Sequence, residues 1–158
     1  GKLPVTFYAD DSQLPDFDDY AMTGRTYRYF TGTPLYPFGH GLGYSEFKYR
    51  RPKVRNTGSG KELVLRLKNK GRMDGDEIVQ VYLSRPDDTE GPVKALKAFK
   101  RVPVKAGKTV KVVIPLDKET FEWWNPESGR MEYRAGEYIL HVGGSSDASV
   151  QKTVKVRI

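Results

Sequence analysis

Five aspartates fall within ten positions: Asp10, Asp11, Asp16, Asp18 and Asp19. Clustered carboxylates can hold a hard cation, but these miss the spacing of a calcium-binding helix–loop–helix and lack its closing glutamate. Loop solvation and turn capping are the expected roles, and Asp74-Gly75-Asp76 reads in the same way as a hairpin turn. No cysteine is present, so thiolate catalysis, disulfides and thiolate metal sites are excluded. The two histidines, His40 and His141, lie far apart and in different contexts, which gives little basis for a nucleophile–histidine–aspartate set. His40 sits among rings and glycines, where packing is expected. His141 falls on the polar phase of a strand, which predicts an exposed side chain. Gly39-His40-Gly41-Leu42-Gly43 is no phosphate loop, because it lacks a preceding strand, a following helix and a Lys-Ser/Thr pair. No metal site and no cofactor site is expected.

Aromatic rings offer different chemistry, since the apolar C–H faces of sugars stack on them. Tyr27, Tyr29, Phe30, Tyr36, Phe38, Trp123, Trp124 and Tyr133 are candidates, with Trp123, Trp124 and Tyr36 foremost. Burial competes with that role for every one of them. Gly24 to Phe47 holds seven aromatic residues, five glycines and two prolines, without helical or strand period. Its rings need a surface to bury against, and its glycines permit sharp turns.

The elements that must position these groups are strands. Leu63, Leu65 and Leu67 alternate with Val64, Arg66 and Lys68. Val79, Val81 and Leu83 alternate with Ile78, Gln80 and Tyr82. The same period returns at Val110-Val112-Ile114, Tyr138-Leu140-Val142 and Val154-Val156-Ile158. Turn signals separate these runs at Asn56-Thr57-Gly58, Asn69-Lys70-Gly71, Asp74-Gly75, Ala106-Gly107, Ser128-Gly129 and Gly143-Gly144. Short strands joined by short turns predict an all-β, immunoglobulin-like antiparallel sandwich of about seven strands. Residues 1–45 break this pattern with Pro4, Pro15, Pro34 and Pro37, and carry only a strand-like piece from Leu3 to Phe7. They form an irregular N-terminal arm that must pack on something; residues 46–158 form the sandwich.

The formal charge is +7, concentrated in Lys48–Arg55 and in a second band from Lys94 to Lys111. Alternation with apolar residues makes these the solvated faces of strands. A polyanion-binding face is the rival reading. No helix-turn-helix, zinc-finger or RNA-recognition pattern accompanies them, so no nucleic-acid partner is expected. No apolar run reaches the length of a membrane span, and the opening GKLPVTF carries no targeting segment.

Several pieces, in order, resemble the C-terminal part of family 3 glycoside hydrolases, the β-glucosidases and β-xylosidases. GKLPVTFY resembles the end of that family's α/β sandwich domain. LPDFDDYAMTGRTYRYFTGTPLYPFGHGLGYSEF resembles the connector that follows. NKGRMDGDEIVQVYLSRP, ALKAFKRVPVKAGKTVKVVIPL and FEWWNPESGRMEYRAGEYILHVGGSS resemble its fibronectin type III-like domain. The wording of the first two pieces leans toward β-xylosidases. His40 stands where tyrosine is frequent and Gly43 where serine is usual. Trp124 matches the family's tryptophan and is expected in the core, with Trp123 pointing the other way. Glu77 and Gln80 are expected at the start and on the face of a strand.

The resemblance implies a retaining mechanism with an aspartate in an N-terminal barrel and a glutamate in the α/β domain. Both lie upstream of the matched region, so no catalytic residue is carried over. It implies a non-catalytic module that braces the catalytic domains of a parent enzyme. The parent would be periplasmic or secreted and would release terminal β-xylosyl or β-glucosyl residues from oligosaccharides. A carbohydrate-binding module and a protein-interaction sandwich are the alternatives.

Overall fold

Branched residues at every second position build nine strands among the described residues of the computed structural model, which describes residues 1–58 and 60–158. They are β1 (Phe47–Thr57), β2 (Gly60–Asn69), β3 (Gly75–Ser84), β4 (Ala95–Val104), β5 (Thr109–Leu116), β6 (Glu122–Asn125), β7 (Arg130–Tyr133), β8 (Glu137–Gly143) and β9 (Lys152–Arg157). Two antiparallel sheets stack, one in the order β1-β2-β5 and the other β4-β3-β8-β9. These are the seven strands of the expected sandwich. The other two, β6 and β7, pair only with each other and form a hairpin.

The core is the alternating set read from the sequence. Leu63, Leu65 and Leu67 meet Val79, Val81, Leu83, Leu140 and Val142 between the sheets. The β2–β3 turn is pinned by Asn69, which is fully buried yet satisfied. Its Nδ2 donates to the carbonyls of Met73 (2.9 Å) and Val104 (3.0 Å), and its Oδ1 accepts from the N–H of Gly71 (2.8 Å). A side chain that closes three bonds inside the sandwich ties β2, the turn and β4 together.

In β1 the register against β2 shifts between Arg50 and Lys53. Arg51 sits at this bulge with φ 50°, a left-handed conformation that a side chain disfavours.

Most of the arm has no regular structure. A one-turn 3-10 helix, Asp11–Gln13, is capped by Asp10, whose carboxylate accepts the Ser12 N–H. Asp19 likewise accepts the Ala21 N–H. A single helical turn, α1 (Thr26–Tyr29), follows, and Phe7 and Tyr36 form an isolated antiparallel bridge.

Candidate functional site: the arm–sandwich joint

The alternation of β3 explains where the arm lies. Val79, Val81 and Leu83 point into the sandwich, so Gln80 and Tyr82 must point out of it. Both are nonetheless buried, because the arm roofs that outer face. The Tyr27 ring, held on α1, stands edge-on to Tyr82 at 5.6 Å and stacks on Phe38 at 4.4 Å. Its hydroxyl oxygen accepts the Leu96 N–H at 3.1 Å, at the point where β4 shifts register against β3. The Phe38 carbonyl accepts the Ser146 N–H (2.8 Å), and the Arg28 carbonyl accepts the Val93 N–H (2.6 Å).

Gly39 is where the arm passes close over β3. Its φ is +79°, and a Cβ placed there would lie 2.6 Å from Gln80 Oε1. Only glycine meets both demands. Gln80 in turn donates to the Gly144 carbonyl (2.8 Å) and accepts from the Tyr82 hydroxyl. Nearby, Lys2 pairs with buried Glu77 at 3.1 Å. Burial, reinforced by the Glu77 charge, pushes the Tyr49 phenol well above its ordinary range. The half-exposed strand expected from period-two alternation is therefore not found at β3, because both of its faces are covered.

Two basic residues leave the solvated band expected of them. Lys94 is buried, with Nζ donating to the Ser146 carbonyl and to Gln151 Oε1 (3.3 Å) and lying over the Tyr82 ring. Burial lowers its pKa. Lys97 lies over the Trp123 ring and donates to the Glu122 carbonyl. A cleft of about 400 Å³ runs between arm and sandwich, lined by Thr6, Tyr27, Phe30, Pro34, Lys94 and Asp147.

His141 corrects an expectation. The polar phase does place it on the outer face, opposite Tyr82, but that face is roofed. It shares a 2.8 Å hydrogen bond with Ser84 Oγ. Burial, followed by the Lys94 charge, lowers its pKa to about 4. The folded state therefore resists the proton that the unfolded chain accepts near pH 6.5. The stabilisation is complete above that pH and fades as the pH falls from about 6.5 toward 4. For a half-buried ring, solvent screening leaves about 1–2 kcal/mol of this effect. His141→Gln is expected to flatten the loss of stability between pH 6.5 and 4, measured by denaturant midpoints; an unchanged pH slope would contradict this.

The tryptophan assignment is also corrected. Trp123 is the buried one, 2% exposed, and Trp124 is 53% exposed. Adjacent strand residues point to opposite sides, and the preceding 3-10 turn (Glu119–Phe121) sets which goes inward. It places Phe121 in phase with Trp123, and both rings meet Tyr138 edge-on, at 5.5 and 6.2 Å. The Trp123 indole N–H donates to Asp88. Trp123 thus has no face to offer a sugar. Trp124 keeps one, beside Met131, its partner on β7. Tyr36 is not joined to that hairpin: it lies against Phe7 (6.2 Å) and His40 (5.0 Å) in the arm.

The arm's other side is bare. Among the described residues, ten of the seventeen exposed large apolar side chains belong to the first 44 positions, with Phe17, Tyr20, Leu42 and Tyr44 at least 90% exposed. One side of the arm is docked and the other presents exposed rings.

Residues 77–146 match the fibronectin type III-like domain. The chain is 43% identical over 148 residues to a xylan 1,4-β-xylosidase of Xylanibacter ruminicola, covering 92% of this chain and 17% of that protein. It is 32% identical over 166 residues to a periplasmic β-glucosidase of Salmonella typhimurium, covering 92% and 21%. The solved structure of a family GH3 β-glucosidase from Bifidobacterium adolescentis superposes with a TM-score of 0.82 at 26% identity, over 100% of this chain and 26% of that one. The chain thus spans about a fifth of the length of the curated relatives it matches. It matches one part of longer β-xylosidases and β-glucosidases, with a fibronectin type III-like domain at residues 77–146, as its residues indicated.

Proposed function

We propose that this chain is the bracing module of a family 3 glycoside hydrolase, with residues 1–45 ending an α/β domain and connecting it to a sandwich of residues 46–158. The parent removes terminal β-xylosyl or β-glucosyl units from oligosaccharides and works outside the cytoplasm. The two-sided arm carries this reading: Tyr27, Phe38 and Gly39 fasten it to the sandwich, while Phe17, Tyr20 and Tyr44 await a partner. The names of the relatives support the substrate class, and the periplasmic relative supports the location.

The module acts by burial. Rings that cost little while the parent is whole would expose a large apolar patch without it, so the parts fold and stay soluble together. The chain alone is expected to release no nitrophenol from nitrophenyl β-xyloside or β-glucoside. The parent enzyme lacking these residues is expected to lose thermal stability and activity together. Turnover by the pure chain that disappears on replacing one carboxylate would overturn the reading, as would a truncated parent with unchanged melting temperature and rate.

A further inference from the structure

The outer face of the β1-β2-β5 sheet is a field of cations with almost no acid. Register fixes which side chains share that face, because Leu63, Leu65 and Leu67 take the inner one. Lys48 on β1 stands directly opposite Lys68 on β2. One step along, Arg50, Arg66 and Lys111 form an unbroken row across all three strands. Beyond the bulge Lys53 and Arg55 continue the face, and Glu62 is its single carboxylate. Among the described residues, none of these seven cations lies within ion-pair distance of a carboxylate.

Two features of this face oppose stability. Like charges directly opposite on neighbouring strands repel. The bulge beside them holds Arg51 in a left-handed conformation that glycine would adopt without strain. Neither feature serves the core, which is satisfied from the other side of the sheet. Both become useful if an external anion neutralises the row.

The face is also free. The arm's contacts with the sandwich at Tyr82, Gln80, Leu96 and Ser146 all belong to the other sheet or its loops. A second copy is disfavoured, because the face would repel itself. Aromatic side chains for stacking bases are missing from the face, and apolar ones for entering a bilayer are limited to Val64 and Val113 at its centre.

We propose that this sheet face binds an anionic polysaccharide bearing uronic carboxylates, holding the parent enzyme on acidic stretches of its polymer. Strands about 4.8 Å apart, with side chains on one face recurring about every 6.7 Å, set several cations within reach of a single uronic carboxylate branching from a sugar chain laid across the face. The choice of polysaccharide among polyanions rests on the glycosidase reading above; the cationic face does not.

The test is affinity electrophoresis of the full chain in glucuronoxylan and in the same polymer after carboxyl reduction, at 20 and 200 mM NaCl. Retardation is expected only in the acidic polymer and should weaken strongly at the higher salt. The triple variant R50Q/R66Q/K111Q should bind at least about tenfold more weakly, with a melting temperature no lower than the parent chain's. The variant K105Q/K155Q/R157Q removes the same charge elsewhere and should stay within about twofold. Equal retardation in the charged and reduced polymers, or equal loss in both triple variants, would overturn the proposal. Tighter binding to duplex DNA or to phosphatidylglycerol vesicles at matched anion concentration would replace the ligand class and overturn it too. The comparison of the two polymers needs no variant, so it decides even if a substitution impairs folding. An inactive chain that still binds acidic xylan, or a bracing module that does not, separates this proposal from the preceding one.

Discussion

Trp123→Ala will destabilise the fold by about 4 kcal/mol, while Trp124→Ala will change it by less than about 1 kcal/mol. The two residues are chemically identical neighbours, so the difference isolates burial. Trp123 fills the space between β6 and Tyr138, with Phe121 on the same side. Its loss leaves a cavity larger than a leucine side chain and removes the indole N–H that Asp88 accepts, leaving that carboxylate the Gly91 N–H. It also uncovers Lys97, whose ammonium lies over the ring. For a chain of this size, about 4 kcal/mol corresponds to roughly 10 °C in melting temperature. Thermal denaturation of the two variants side by side is the check. Equal shifts, or a larger one for Trp124, would show that the hairpin is packed the other way round.

Tyr27→Ala will release the arm without unfolding the sandwich. The substitution removes the stack on Phe38, the edge contact with Tyr82 and the acceptor for the Leu96 N–H. Together these contribute about 3 kcal/mol to docking, most of it from ring burial. Tyr27→Phe keeps the rings and removes only the hydroxyl, so it should cost about 1 kcal/mol. Limited proteolysis is the natural readout: the alanine variant should be cut within residues 1–45 at a rate at least tenfold higher, leaving a resistant sandwich. Backbone amides of β3 and β4 beneath the arm should exchange faster as well. A cleavage rate equal to the wild type would mean that Lys2–Glu77 and the Gly39 contact hold the arm by themselves.

The arm covers an outer sheet face that carries Gln80, Tyr82, Lys94 and His141, all polar, and leaves them hydrogen-bonded inside the joint. Such a network is costly when opened and specific when closed, which suits a permanent joint between domains.

Much of this protein was readable from residues alone. Period-two alternation from Leu63 to Ile158 determined the sandwich, because a strand with one wet face must repeat every second residue. The turn residues marked where strands end, and the glycines and rings of the arm announced a close contact. Local patterns of this kind carry their meaning within a few positions. The tertiary structure decided the rest, because each point depends on residues far apart in sequence. His141 is half-buried beside Ser84, Tyr82 and Lys94, about fifty positions earlier, which its own strand could not announce. Trp123 goes inward because a short turn sets its phase and Tyr138 waits opposite. Arg50, Arg66 and Lys111 become neighbours only when strand register lays them in one row, and no linear band of charge contained all three.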